Sequence, residues 1–309
     1  MDSYFQRIEV ESTEILASCW LWDFAGQKDF YATHQAFLSK CAVYLLVTDK
    51  LEASYVEKLW TDFDSAAEYV RFWFNSIHCY RPIDPVMSTT NFKIRRQLDP
   101  PVIVVCTNED KVKVNTSSHK GIRENISSQA KLMNDWGKDC PLKWLLFQQV
   151  LGKLKETDVP ISTTKALKKI ARHKDIGITD DEEFVLCLQY YHDIGTIIYF
   201  DEETLRNYII LDPEWLVDAF RCLVSDKITD IISLSRDWKV LKERGELTGS
   251  LISLLFEKEP KLKFLENKEH LLEVMKRFDI VVNVANSDTL YMPCMMEACS
   301  FTAMQKVHG

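Results

Sequence analysis

The chain has 309 residues, 46% of them hydrophobic and 27% charged, with a formal net charge of −8. That is the chemistry of a folded globular chain of about two domains, and its negative balance excludes nucleic acid as the main partner, because phosphate binding needs clustered Lys and Arg. Only nine glycines and nine prolines occur, which excludes collagen-like, Gly/Ser-linker and disordered chains.

Residues 1 to about 138 read as α/β. An apolar, strand-like run over 14–22 stops abruptly at Asp23-Phe24-Ala25-Gly26-Gln27. Residues 41–47 are continuously apolar with β-branched and aromatic members, and residues 101–106 repeat the pattern, as expected of parallel strands buried on both faces. Between them, residues 52–77 carry helical periodicity through Leu59, Phe63, Ala66, Ala67, Val70 and Phe74. Strand, helix, strand is the βαβ arrangement of a parallel sheet. A polar stretch over 78–99 reads as a surface insertion.

From about residue 139 the pattern turns helical, with helices expected over 141–155, 162–173 and 181–193. Gly195 closes the third; residues 196–200 and 208–211 then read as two strands pairing back on each other. Asp212-Pro213 opens the next helix, with Asp as cap and Pro in the first position. Helices near 247–256 and 267–278 and strands from Ile280 and Thr289 around a turn at 286–288 make a second such set. Helices followed by a two-stranded hairpin are the ingredients of a winged helix, met twice here without a fixed sequence period.

The nine cysteines form no CxxC pair. An odd number without framework spacing points to a reducing, cytoplasmic setting and away from disulfides or zinc. No apolar run reaches the 18 or so residues of a membrane span, and the N-terminus has no signal-peptide core.

Two short motifs carry chemistry. Asp23-Phe-Ala-Gly-Gln27 stands at the end of a predicted strand, the edge where open parallel sheets bind ligands. In nucleotide hydrolases such a DxxGQ uses the Asp to hold Mg²⁺ through water, the Gly amide to approach the γ-phosphate and the Gln to orient the attacking water. An Asp capping the next helix, with Gly for the turn, explains the same five residues. Thr107-Asn108-Glu109-Asp110 follows the second strand, at the place and in the form of the N/T-K-x-D motif with which P-loop GTPases read guanine. There a carboxylate accepts the N1–H and N2 amino hydrogens of the base. An Asx-turn after a strand accounts for these four residues taken alone. Two motifs in this order, each at a strand end, favour the nucleotide reading.

Residues 22–39, running from Trp22-Asp-Phe-Ala-Gly-Gln27 to Ser39, and then 42–47 resemble the switch II region of a Roc domain, the Ras-like GTPase of Roco proteins. The second half resembles the COR module that follows Roc. The matching stretches are 141–147, Tyr191-His-Asp-Ile-Gly195 with 198–200, 210–217, 271–278 and 291–294. The similarity is closest to the animal Roco branch related to the malignant fibrous histiocytoma amplified sequence protein. The resemblance implies an α/β, incomplete Ras-like domain over 1–138 and a mainly α, winged-helix-like first COR subdomain over 139–309. It implies GTP or GDP with Mg²⁺ as ligands: Asp23 on the metal, Gly26 at the γ-phosphate, Gln27 as catalytic residue, and Thr107, Asn108 and Asp110 at the base. Protein partners through COR and a homodimeric parent are also implied.

The sequence departs from that family pattern in three places. No two of its glycines fit GxxxxGK[ST], so the P-loop and switch I are expected upstream of these residues. Asp110 is followed almost at once by 122–132, which resembles the last helix of a G domain, so an intervening helix and strand are skipped. The second COR subdomain is expected beyond residue 309. A kinase, common in Roco relatives, would also lie beyond; within the chain Asp23-Phe24-Ala25-Gly26 has neither HRD nor Gly-rich loop beside it. The functional expectation is a GTP-driven signalling switch whose 309-residue portion binds nucleotide poorly by itself. The alternative is a non-catalytic scaffold with a degenerate G domain. His34, His192 and His270 read as packed or helix-surface residues.

Overall fold

The computed structural model describes residues 21–24, 31–49, 66–79, 100–107, 121–133, 136–224, 236–284 and 289–296. The predicted strand over 14–20, the first half of the 52–77 helix, and most of the 78–99 insertion lie outside the described residues.

A short helix α1 (Tyr31–His34) runs into one 3₁₀ turn and leads to β1 (Tyr44–Asp49). Helix α2 (Ala66–Cys79) connects to β2 (Val102–Thr107), which pairs parallel with β1 from Tyr44↔Val102 to Asp49↔Thr107. The βαβ expectation therefore stands, with β1 set two to three residues later than expected and β2 one residue later. Leu46, Trp73 and Ile77 form the small core between sheet and helix, edged by Tyr31, Leu38, Tyr44 and Phe74. Burial on both faces does not hold. Leu46 is 7% exposed while its neighbour Val47 is 54% exposed. Successive strand residues point to opposite faces, and among the described residues α2 packs only on the Leu46 side. Helix α3 (Ile122–Lys131) buries none of its side chains.

The remainder is built from two copies of one plan. In the first, α4 (Leu142–Glu156) precedes β3 (Ile161–Thr163), α5 (Thr164–Ala171), α6 (Asp181–Asp193) and β4 (Tyr208–Ile210). Helix α7 (Pro213–Val224) and α8 (Arg236–Arg244) lead to the second: β5 (Glu246–Leu247), α9 (Gly249–Phe256), α10 (Lys268–Arg277), β6 (Val282–Asn283) and β7 (Leu290–Tyr291). In each copy the last strand lies in the middle, paired antiparallel to the strand before the first helix: β3 with β4, and β5 with β7. This is the sheet order of a winged helix.

That pairing corrects the sequence reading in two ways. Residues 196–200 and 208–211 do not make a hairpin ladder; they share a single bridge, Ile198 to Ile210. The partner of β4 is instead 161–163, where a helix was expected from 162. The helix starts later because Thr163 is its cap, its hydroxyl accepting the amide of Ala166 at 3.2 Å, while Pro160 favours extended chain just before it. Thr248 does the same for Leu251 in the second copy, also at 3.2 Å. Asp212 behaves as predicted, accepting the Glu214 amide at 3.2 Å ahead of Pro213.

Two cores result, and one stretch of chain feeds both. Ile197, Tyr199, Ile209 and Leu211 face the first, around Phe147, Phe184, Leu188 and Tyr191. Ile198, Phe200 and Ile210 face the second, around Trp215, Phe220, Leu255, Phe256 and Leu271. Trp215 is a buried aromatic of α7; its indole donates to the Leu262 carbonyl at 2.7 Å and packs on Phe264.

The recognition-type helix of each copy ends in the same way. After α6, Gly195 takes φ +76° and the amides of Thr196 and Ile197 return to the Tyr191 carbonyl. After α10, Asp279 takes φ +53° and the amides of Ile280 and Val281 return to Met275. The left-handed residue costs little as glycine and about 1–2 kcal/mol with a side chain, somewhat less for Asp. Replacing Asp279→Gly is therefore expected to stabilise the fold by several tenths to about 1 kcal/mol. Gly195→Ala should destabilise it by about 1 kcal/mol or more. Chemical denaturation of the two variants against the parent chain measures both.

Candidate functional site

The C-terminal ends of β1 and β2 lie side by side, because the pair is parallel and in register up to Asp49↔Thr107. That is the ligand-binding edge of an open α/β sheet. Thr107 sits at this edge, exposed, and its hydroxyl donates to the Thr48 carbonyl at 3.3 Å across the pair. Asn108 and Asp110 come next in the chain and lie outside the described residues. So do Gly26 and Gln27. Asp23 is described; it stands in irregular chain with an exposed side chain. Of the six predicted site residues, then, geometry is available for Asp23 and Thr107, and Thr107 is occupied in tying the two strand ends together.

The chain on either side of residues 25–30 is held by aromatic stacking. Trp22 lies against Phe24 (6.5 Å between ring centroids) and Phe37 (5.5 Å). Phe24 meets the edge of His34 at 5.0 Å, and His34 stacks on Trp73 of α2 at 5.4 Å. Tyr31 closes against Trp73 at 5.0 Å. Phe37 continues the row to Phe220 of α7 at 6.2 Å. Such pairs contribute roughly 0.5–1.5 kcal/mol each beyond their burial. The row runs without a break from the small α2-backed core into the second winged-helix core.

His34 is 5% exposed, and its Nδ1 has no hydrogen-bond partner among the described residues. Burial pushes its imidazole down to about 4, so it is neutral and acts as a packed ring, as the sequence reading held. His270, against Tyr208, is likewise pushed down to about 4 by burial. Among the described residues no three His, Cys, Asp or Glu side chains gather as a metal-holding group, and no helix is long and apolar enough to cross a membrane.

The sequence reading quoted 22–39 and Tyr191–Gly195 as family stretches but gave Trp22, Phe37, Ser39, Asp193 and Gly195 no roles. The structure brings them together. The Ser39 hydroxyl donates to the Asp193 carbonyl, and the Lys40 ammonium stands 3.8 Å from the Asp193 carboxylate. The Trp22 indole covers Gly195, where an added Cβ would lie 3.6 Å from its Nε1. The density of aromatics around DxxGQ was the available signal; which surface they meet is a tertiary fact.

A family model described as C-terminal of Roc, COR-A domain, matches residues 141–296, just over half of the chain. The chain belongs to the Roc–COR family of Roco proteins. A second model, Ras of Complex, Roc, domain of DAPkinase, matches residues 3–93. Its curated relatives include the probable serine/threonine-protein kinase pats1 of Dictyostelium discoideum, 26% identical over 258 residues, which are 76% of this chain and 8% of that protein. They also include the Roc-COR-CHAT protease of Runella zeae, 24% identical over 292 residues, 85% of this chain and 30% of that protein. The leucine-rich repeat serine/threonine-protein kinase 1 of Caenorhabditis elegans is 22% identical, with 84% of this chain and 12% of that protein covered. The chain thus spans a small part of the length of these relatives. A solved structure of Methanosarcina barkeri Roco2 RocCORdC bound to GDP shares the fold, with TM-score 0.58 and 19% identity over 89% of this chain and 79% of that one. The architecture is accordingly an incomplete Ras-like Roc domain followed by a winged-helix COR-A domain.

The buried histidines give the Roc–COR pair a pH dependence. Unfolded, His34 protonates near its ordinary 6.5; folded, it refuses the proton until about 4. The unfolded chain therefore holds the extra proton in that window, so stability is complete above about pH 6.5 and is lost as pH falls towards 4. Urea unfolding at a series of pH values is expected to show this fall, with His270 adding to it. His34→Phe should lower the slope by up to about one proton.

Proposed function

We propose that this chain is the switch-and-relay portion of a guanine-nucleotide signalling protein. In this reading a Roc region over 1–138 takes GTP or GDP with Mg²⁺, and a COR-A region over 139–309 carries the consequence to protein partners. One observation supports it above the others: β1 and β2 end together at the ligand-binding edge, and the Thr107-Asn108-Glu109-Asp110 motif begins there. The GDP named for the Methanosarcina relative supports the class of ligand. The finer assignment to the animal branch rests on residues 22–39, and a cytoplasmic location rests on the cysteine pattern. A homodimeric parent would pair through COR.

The roles follow from charge and geometry. Asp110 would accept both guanine hydrogens, a pairing adenine does not offer. Thr107 would hold the strand end through Thr48, and Asn108 lacks the aliphatic stem that a lysine lays on the purine. Asp23 is an exposed carboxylate, which fits a Mg²⁺ ion that keeps several of its waters and takes one or two carboxylates. When bound, that ion supplies neutralisation of phosphate charge. Gly26, without a Cβ, lets its amide approach the γ-phosphate. Gln27 orients a water whose oxygen bonds to the γ-phosphorus as the bridging P–O bond to the β-phosphate breaks, leaving GDP and inorganic phosphate.

A second reading, a scaffold that never cycles, is supported by Asn108, which stands where the family motif has its lysine. Without P-loop amides and lysine the triphosphate charge is poorly offset. The 309-residue chain alone is therefore expected to bind and hydrolyse little or no GTP. Titration with a fluorescent GTP analogue and Mg²⁺ checks this. Saturable micromolar binding that disappears in Asp110→Ala would overturn the deficiency while supporting the base-reading role.

A further inference from the structure

The residues flanking 25–30 are anchored on COR-A from both sides, besides their stacking on Trp73 of α2. Upstream, Trp22 covers Gly195 and stacks with Phe37. Downstream, Ala36 belongs to the second winged-helix core, Phe37 packs on Phe220, and Ser39 donates to the Asp193 carbonyl. Ser39 is itself fixed to the sheet: the Tyr44 hydroxyl at the start of β1 accepts its amide at 2.7 Å and donates to its carbonyl at 2.6 Å. Lys40 adds a cation near the C-terminal end of α6, where the helix dipole favours positive charge and the last carbonyls lack helical partners.

From these contacts we propose that Trp22, Ser39 and Lys40 form a latch on Asp193–Gly195, coupling residues 22–24 and 31–40 to the chain that leaves α6. Gly195 is the left-handed hinge of that turn. The residues after it distribute the effect, because Ile197 and Tyr199 enter the first core and Ile198 and Phe200 the second. Phe200 in turn lies under the Arg277 guanidinium of α10 at 4.4 Å and beside Phe278. A displacement of Trp22 therefore reaches both winged-helix units through five residues. Trp22, Ser39 and Lys40 are positioning residues in this scheme. Its use as a nucleotide relay rests on the reading of residues 23–27 as a switch; the coupling itself does not.

Hydrogen–deuterium exchange on the full 309-residue chain without nucleotide tests the latch in both directions. Trp22→Ala is expected to speed exchange of the Thr196 and Ile197 amides about tenfold, and Trp22→Phe to restore most of the protection. In reverse, Gly195→Ala should speed exchange over 31–38, since coupling between two sites is reciprocal. In Trp22→Ala the amides of α9 should stay within twofold of the parent chain, and in Gly195→Ala, which also lowers overall stability, they should rise less than those of 31–38. Unchanged exchange at the distant segment in either variant overturns the proposal. So does an equal rise in α9, which would mean general loss of stability. Nucleotide titration of the same samples separates the two readings: no binding with the coupling intact leaves the latch standing as a brace, and binding without coupling sinks the latch alone.

Discussion

The structure depends on one short stretch, residues 197–200, being buried on both faces. A strand alternates its side chains between two sides, so four consecutive apolar residues serve two hydrophobic cores at once. Shifting the chain by one residue would exchange Ile197 and Tyr199 with Ile198 and Phe200, and neither core would be filled correctly. The turn at Gly195 sets that register. Its left-handed backbone closes α6 by returning two amides to Tyr191 and delivers the chain onto the sheet in one alignment. The β3–β4 sheet and residues 197–200 consequently fill part of both cores, and the two winged-helix units cannot move independently without disturbing them.

The Roc portion leans on this frame. Among the described residues its core comprises three buried side chains, Leu46, Trp73 and Ile77, and Val47 on the other face of β1 is exposed. The aromatic row from Trp73 through His34, Phe24, Trp22 and Phe37 to Phe220 extends it into the COR-A core. Residues 22–24 and 31–38 are thereby joined to COR-A, because interdigitated cores transmit displacement instead of absorbing it.

Element type was legible wherever local chemistry decides it. Thr163, Asp212 and Thr248 are caps by virtue of side-chain oxygens within reach of the next amides. The parallel strands were legible from continuous apolar runs. Pairing was less legible. Residues 161–163 are too short to announce a strand, and their partner lies 45 residues on, so the adjacent 196–200 looked the natural choice. The open face of β1 was missed because a continuous apolar run is equally compatible with burial on one face or two.

What the amino-acid sequence determined by itself was the family, most of the order of elements and the two motifs, Asp23 to Gln27 and Thr107 to Asp110, the second directly after a strand. These follow from backbone constraints and side-chain chemistry that act within a few residues. Only the tertiary structure decided that Thr107 ties two strand ends together, that Trp22 covers Gly195, and that Ser39 holds the end of α6. The physical reason is range. Capping, turns and periodicity act between neighbours in the chain, whereas Ser39 and Asp193 are brought together by two cores that close over the residues between them.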